Sequence, residues 1–314
     1  MIHTHASFPC ERAVHTLSTS LPDSINGQAG FHWPQSLHPL RTRRSDAGMS
    51  CRSCWGYGDD NGPLNWYKNF PFAQGDRQSP INIVPAEAVY NAELQPLSVA
   101  YSDCSSMSIC NNGHSVVVEF EDCNDKTVIS GGPLEQPYKL KQFHFHWGQK
   151  DDQRGSEHTV NGRSYPGELH LVHWNSTKYH TFGEAVVEAD GLAVIAVFLE
   201  TGDRHAHLHR LTDALYMVKF KETQAQFKDF DPQCLLPKCR DYWTYAGSLT
   251  TPPLHESVTW IVFREPIAVS EKQMDKFRML LFSGETESQK LHMVDNYRPP
   301  QPLKGRTVFA SFQS

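Results

Sequence analysis

Six consecutive residues constrain the fold of this 314-residue chain more than any other feature. In Gln142-Phe143-His144-Phe145-His146-Trp147, polar and aromatic side chains alternate without a break. A strict two-residue period marks a β-strand, because successive side chains leave opposite faces. The spacing predicts a strand over 138–147. Leu140, Gln142, His144 and His146 share one face, and Phe143, Phe145 and Trp147 face an apolar core. Two histidines two residues apart on one strand face can hold the same metal ion.

A second segment, Glu168-Leu169-His170-Leu171-Val172-His173-Trp174, alternates in the same way. Glu168, His170 and Val172 share a face, opposite Leu169, Leu171 and His173. If the two strands are neighbours, His170 completes a three-histidine set. Three imidazoles with one open position describe a catalytic zinc site, whereas structural zinc is closed by four protein ligands, usually including Cys. Gln142 precedes His144, and Glu168 precedes His170, by the same two residues. Each is placed to accept the distal ring N–H of its histidine, fixing the tautomer and raising ligand basicity. His173, on the opposite face, reads as a hydrogen-bonded structural residue. A rival cluster, His205, His207 and His209, leads into a helical pattern on which alternate residues diverge, so it reads as a solvated face.

The rest of the chain from Trp55 onward alternates short β-like runs with Gly, Pro and Asn punctuation. Candidate strands cover 115–120, 192–199 and 257–263 besides the two above, and helical patterns cover 208–220 and 271–282. The pattern predicts one mainly β (α+β) domain over residues 55–314 with short peripheral helices. Residues 1–54 differ: they hold eight Ser, five Arg, no Lys and three acidic residues, without a sustained period. They read as a disordered N-terminal extension, or alternatively as a mitochondrial transit peptide.

Lys and Arg number 29 against 35 Asp and Glu, a net charge of −6. That balance excludes the basic footprint of a nucleic-acid binder. The longest apolar run, Leu192 to Leu199, is far too short to span a bilayer. The eight cysteines, among them the isolated pair Cys51-x-x-Cys54, read as mostly free thiols in a reducing compartment.

With its other motifs, the chain resembles an α-class carbonic anhydrase. The matching stretches are Trp55-Gly56-Tyr57-Gly58, Gln78-Ser79-Pro80-Ile81-Asn82-Ile83, Gln142 to Trp147, Ser156-Glu157-His158-Thr159-Val160, Glu168 to Trp174 and Gly247-Ser248-Leu249-Thr250-Thr251-Pro252-Pro253. Leu303-Lys304-Gly305-Arg306 is most similar to the cytosolic type VII branch. The resemblance implies a single domain built on a large, twisted, mostly antiparallel sheet of about ten strands. It implies reversible hydration of carbon dioxide to bicarbonate and a proton by zinc-bound hydroxide, with esterase activity on the side. It implies Zn²⁺ on His144, His146 and His170, and a hydroxide oriented by Thr250, whose own proton goes to Glu157. Thr251 and the Thr250 backbone would contact bicarbonate, and Val172, Val194, Leu249, Val258 and Trp260 would wall the carbon dioxide site. His114 matches the proton shuttle, and Tyr57, Asn112 and Thr251 match residues that order the connecting waters.

One departure is Val117, where many relatives carry Asn or Gln, so the polar side of the cavity is drier. Silent relatives have typically lost zinc histidines, and all three are present here. The resemblance also implies small-molecule partners, namely carbon dioxide, bicarbonate and sulfonamide-type and anion inhibitors, for a monomer. Ala73 and Leu254 stand where extracellular relatives often carry a disulfide, and no hydrophobic tail follows Ser314. A cytoplasmic location is expected, or a mitochondrial one if residues 1–54 act as a transit peptide.

Overall fold

The computed structural model describes residues 55–101, 105–121, 127–150 and 154–313. The expected extension and the Cys51/Cys54 pair lie outside the described residues. The strands are β1 (Asn82–Ile83), β2 (Val89–Tyr90), β3 (Leu97–Ala100), β4 (Ser106–Asn111), β5 (Val116–Phe120), β6 (Val128–Gly131), β7 (Tyr138–Trp147), β8 (Thr159–Val160), β9 (Gly167–Trp174), β10 (Leu192–Thr201), β11 (Thr223–Gln226), β12 (Tyr242–Gly247), β13 (Val258–Phe263), β14 (Ile267–Val269) and β15 (Phe309–Ala310). Thirteen form one sheet whose main path runs β11-β4-β5-β7-β9-β10-β13-β12-β15-β2, while β3, β6 and β14 pair off that path. Most neighbours are antiparallel. The parallel pairs are β10 with β13 and β14, β15 with β2, and β1 with β8 in a separate small sheet.

The sheet is buried on both faces at its centre, which is why β9 and β10 read as dense apolar runs. On one face Leu169, Leu171, Ala193, Ile195 and Val197 join Phe143, Phe145 and Trp147 in the larger core. On the other, Val172, Val194, Ala196, Val258 and Trp260 form a second core. The two-residue period thus sorts each strand between two hydrophobic layers.

The β7 alternation carries one interruption. Leu140 pairs with His173 but Gln142 pairs with Val172, so Lys141 is the extra residue of a bulge. The bulge reverses the faces on its two sides: Leu140 is buried in the core with Phe143 and Phe145, not on the face of Gln142 and His144 as the alternation predicts.

The α-helices are α1 (Phe182–Ala185) and two that are shorter than their sequence patterns. The 208–220 pattern becomes α2 (His209–Ala214) followed by a 3₁₀ turn, Leu215–Val218. The 271–282 pattern becomes α3 (Glu271–Arg278), opened by a Ser270/Gln273 capping box. Leu281 leaves the helix because its N–H bonds the Lys219 carbonyl and it bridges His292. Among the described cysteines, Cys234 and Cys239 are free thiols.

Candidate active site

The register of β7 on β9 sets His144 directly opposite His170 and His146 opposite Glu168. The three rings lie with centroids 5.1 Å (His144–His146), 5.2 Å (His144–His170) and 4.7 Å (His146–His170) apart. One ligand nitrogen from each lies within 4.8 Å of the others. The second nitrogen of each ring is committed elsewhere. His144 Nδ1–H donates to Gln142 Oε1 at 2.9 Å, His146 Nδ1–H to the Asn296 carbonyl at 2.7 Å, and His170 Nε2–H to Glu168 Oε1 at 2.7 Å. These bonds select Nε2, Nε2 and Nδ1 as the donors that face one another. His146 Nε2 is buried with no hydrogen-bond partner, an orphan that a cation among the rings would satisfy.

Burial keeps all three imidazoles neutral, the form that ligates. His144 is held well below the usual imidazole range by burial and then by His146 and His170. His146 is pushed down to about 3, by burial and then by His170. His170 is lowered by burial against the opposing pull of Glu168. Burial alone would raise the Glu168 carboxyl, but the charges and hydrogen bonds of His158 and His170 outweigh it and hold Glu168 well below the carboxylate range. Glu168 is also clamped from behind: its Oε2 accepts the backbone N–H groups of Glu157 (2.9 Å) and His158 (2.8 Å), and His158 Nδ1–H donates to Oε1 at 2.7 Å. Three neutral imidazoles with an orphaned donor fit a zinc ion.

The triad lies at the foot of a cavity lined by Tyr57, Asn112, His114, Val117, Gln142, Val172, Val194, Leu249, Thr250, Thr251, Val258 and Trp260. Its apolar wall follows from the register, since Val172 pairs Val194 and Val194 pairs Trp260 across three strands. Val117 sits opposite His144 and is buried, so this part of the wall is apolar. Glu157 is fully buried. Its Oε1 accepts the Arg298 N–H at 2.8 Å, which leaves Oε2 as the free acceptor. Thr250 is near enough to act on this carboxyl as a hydrogen-bond donor, without closing a bond of strict geometry on Oε2. Burial, then Glu168, holds Glu157 well above the carboxylate range in the absence of a cation.

His114 stacks on Trp55 with centroids 3.7 Å apart and planes 8° from parallel. Burial, then the Lys221 charge, pushes it down to about 4. Asn112 Oδ1 accepts the N–H groups of His114 (2.9 Å) and Ser115 (2.8 Å), so this oxygen shapes the turn that presents His114.

A family model for eukaryotic-type carbonic anhydrase matches residues 61–312. The chain belongs to that family. It is 67% identical to carbonic anhydrase 7 of Mus musculus over 266 residues, which is 85% of this chain and 100% of the relative. It is 66% identical to the Homo sapiens protein of the same name over 260 residues, 83% of this chain and 98% of the relative. It is 56% identical to the mitochondrial carbonic anhydrase 5B of Rattus norvegicus over 239 residues, 76% of this chain and 75% of the relative. The reaction of this carbonic anhydrase is the reversible hydration of carbon dioxide, and its cofactor is zinc. The family binds small substrates and sulfonamide inhibitors. Among the described residues, no helix is long and apolar enough to cross a membrane.

His173 is a structural residue: its Nδ1–H donates to the Ala193 carbonyl at 3.1 Å, and its Nε2 lies 2.6 Å from the Tyr101 hydroxyl. His205 and His207 lie ahead of α2 with their rings edge-on at 6.4 Å, while His209 Nδ1 turns to the Ala206 carbonyl, so the three do not form a metal-binding group among the described residues; His205 Nδ1 accepts the Leu208 N–H at 3.1 Å. Three residues of the site escape sequence reasoning. His158 lies inside a family motif, but its hold on Glu168 needs the β9 register. Asn296 and Arg298 reach the triad and Glu157 from a loop about 150 residues downstream, with no local pattern to mark them.

Proposed function

We propose that this site interconverts carbon dioxide and bicarbonate on a zinc held by His144, His146 and His170, with Thr250, Glu157 and His114 handling the protons. The observation that carries this reading is the convergence of three neutral imidazoles, His146 and His170 buried and His144 half-buried, whose other nitrogens are already committed. When bound there, Zn²⁺ supplies the Lewis acid that makes a water nucleophilic near neutral pH and the positive charge that keeps Glu157 ionised.

The chain's own residues do the rest. Arg298 occupies Glu157 Oε1, so Glu157 Oε2 accepts the hydrogen bond of the Thr250 hydroxyl. The Thr250 oxygen is then an acceptor for the attacking water, and that directs a lone pair of the attacking oxygen at the substrate. Val172, Val194, Leu249, Val258 and Trp260 form a dry wall for an apolar linear molecule. Thr251 and the Thr250 backbone receive the charged product. Gln142 and Glu168 hold the rings of their histidines in place. The same nucleophile would reach activated esters, as a side activity.

His114 exports the proton, and Tyr57, Asn112 and Thr251 order the water between. While stacked on Trp55 the imidazole is neutral at pH 7 and takes up a proton poorly. Export therefore includes movement of the ring off Trp55 into water, where it regains the ordinary imidazole range near 6.5. Replacing His114 by Ala is expected to lower kcat by up to ~10²-fold in weak buffer, the low end of what positioned acid–base groups contribute. The chemical step, read from kcat/KM, should stay within about twofold, and added imidazole should restore kcat. An equal fall in kcat/KM would place His114 in the attack on carbon. An unchanged kcat would give the proton to another group.

The catalytic domain is residues 55–314, with 1–54 an extension that the domain does not need. A chain beginning at Met49 should melt and turn over like the full chain, because the family match begins at residue 61. Lost folding on that truncation would move the boundary. The reading favours a cytoplasmic monomer; import and cleavage of residues 1–54 in isolated mitochondria would favour the transit peptide.

A further inference from the structure

The motif Gln78-Ser79 takes no part in the site above, and neither side chain lines the cavity. Yet both are buried beneath it, 2% and 0% exposed. Together they hold both ends of the 248–256 segment that carries Thr250 and Thr251. At its entry, the Ser79 N–H donates to Ser248 Oγ at 2.9 Å, and Ser79 Oγ accepts the Ser248 N–H at 3.0 Å. The Tyr245 hydroxyl also reaches Ser79 Oγ, at 2.9 Å. At its exit, Gln78 Nε2 donates to the Leu254 carbonyl at 3.2 Å and to Glu256 Oε1 at 3.1 Å.

The other end of the same carboxamide meets the partner of Glu157. Gln78 Oε1 accepts from Arg298 Nη1 at 2.8 Å, and the Arg298 N–H holds Glu157 Oε1 at 2.8 Å. The orientation of the amide is forced, since a guanidinium only donates and a carboxylate or carbonyl only accepts. Arg306 reinforces the junction, donating to the Gln78 carbonyl at 2.7 Å and the Ala246 carbonyl at 2.9 Å.

The gripped segment needs such support. Leu254 has φ +65°, in the left-handed region that a leucine enters at a cost, and its N–H closes a turn on the Thr251 carbonyl at 3.0 Å. The fit leaves no slack. A Cβ at Gly247 would lie 2.1 Å from Ser79 Oγ, and one at Gly75 would lie 2.0 Å from Glu256 Oε1.

We propose that Gln78 and Ser79 are positioning residues for the reaction, which set Thr250 and Glu157 in register by clamping the 248–256 segment and Arg298. The effect on catalysis rests on the roles given above to Thr250 and Glu157; the clamp itself does not. Gln78→Glu is the discriminating variant. It keeps the shape and an acceptor for Arg298, but it turns the two donated bonds into repulsion against Leu254 O and Glu256.

In the zinc-loaded full chain, amide hydrogen exchange across 248–256 is expected to quicken at least tenfold, while β9 (Gly167–Trp174) exchanges as before and zinc stays at one per chain. The ratio kcat/KM should fall at least tenfold, and kcat less, because proton export rather than attack limits it. Wild-type exchange across 248–256 would overturn the proposal, as would equal quickening in β9, which would mean general loosening. Faster segment exchange with unchanged kcat/KM would uphold the clamp and remove Thr250 from the chemical step. Should Gln78→Glu fail to fold, Ser79→Ala decides. It removes the acceptor of the Ser248 N–H, so exchange at 248–250 should quicken at least tenfold, and wild-type exchange there would overturn the proposal.

Discussion

Replacing His170 by Ala is expected to strip the metal and abolish carbon dioxide hydration. His170 is the only one of the three ligand candidates on β9, and its ring is held by a charged acceptor, Glu168, at 2.7 Å. Apparent zinc-binding energies near pH 7 run to roughly 10–16 kcal/mol for small sites, so losing one donor of three forfeits about 4 kcal/mol, or ~10³-fold in affinity. The loss should show as zinc content well below one per chain after dialysis against a weak chelator. His173→Ala on the opposite face should melt lower yet retain zinc, since the partners of His173 are Tyr101 and the backbone of Ala193 and Leu171, none of them a ligand candidate. Full activity in metal-free protein would sink the assignment of all three histidines.

Thr250→Val should retain zinc and fold, because it exchanges a hydroxyl for a methyl at a position only 5% exposed. The ratio kcat/KM should fall by on the order of 10²-fold, the usual loss when one preorganised hydrogen-bonding group at a reacting centre is removed. Glu157→Gln should cost a similar amount for a different reason. The Arg298 N–H demands an acceptor, so the carboxamide oxygen turns to it and the amide nitrogen faces Thr250. Thr250 then meets a donor where it needs an acceptor, and its oxygen no longer points its lone pair at the attacking water. Because the two act as a unit, the double variant should be little slower than either single one. Losses that multiply would mean that Thr250 and Glu157 act separately.

These predictions differ in how much of their basis is legible in the chain. The β7 strand is predicted over the same span, Tyr138–Trp147, that the structure shows, because a strict polar–aromatic alternation admits no helix. The same alternation misplaces Leu140, because a bulge belongs to a pair of strands and leaves no mark in either one alone. The helical patterns run long for a related reason: apolar spacing continues into Leu280 and Leu281, which are buried whether or not the backbone is helical. His114 shows the same division in its chemistry. Its placement after Asn111-Asn112-Gly113 is readable, whereas its low pKa comes from burial, with Trp55 stacked on it from about 60 residues upstream, and then from the Lys221 charge, all brought in from distant segments.

The sequence by itself determined the kind of donor, its spacing and the face it occupies: His144 and His146 on one side of a strand, His170 on one side of another, and Gln142 and Glu168 two residues before their histidines. Those are properties of one strand, where each side chain's direction follows from a period of two. Only the tertiary structure decided that His144 stands opposite His170, that the Asn296 carbonyl selects the free nitrogen of His146, and that Arg298 leaves Glu157 one oxygen for Thr250. Each of these is a relation between distant segments. Register between strands is set by how the whole sheet buries its two hydrophobic layers; a slip of one residue on β7 would turn His144 and His146 away from the cavity, and one on β9 would turn His170 away.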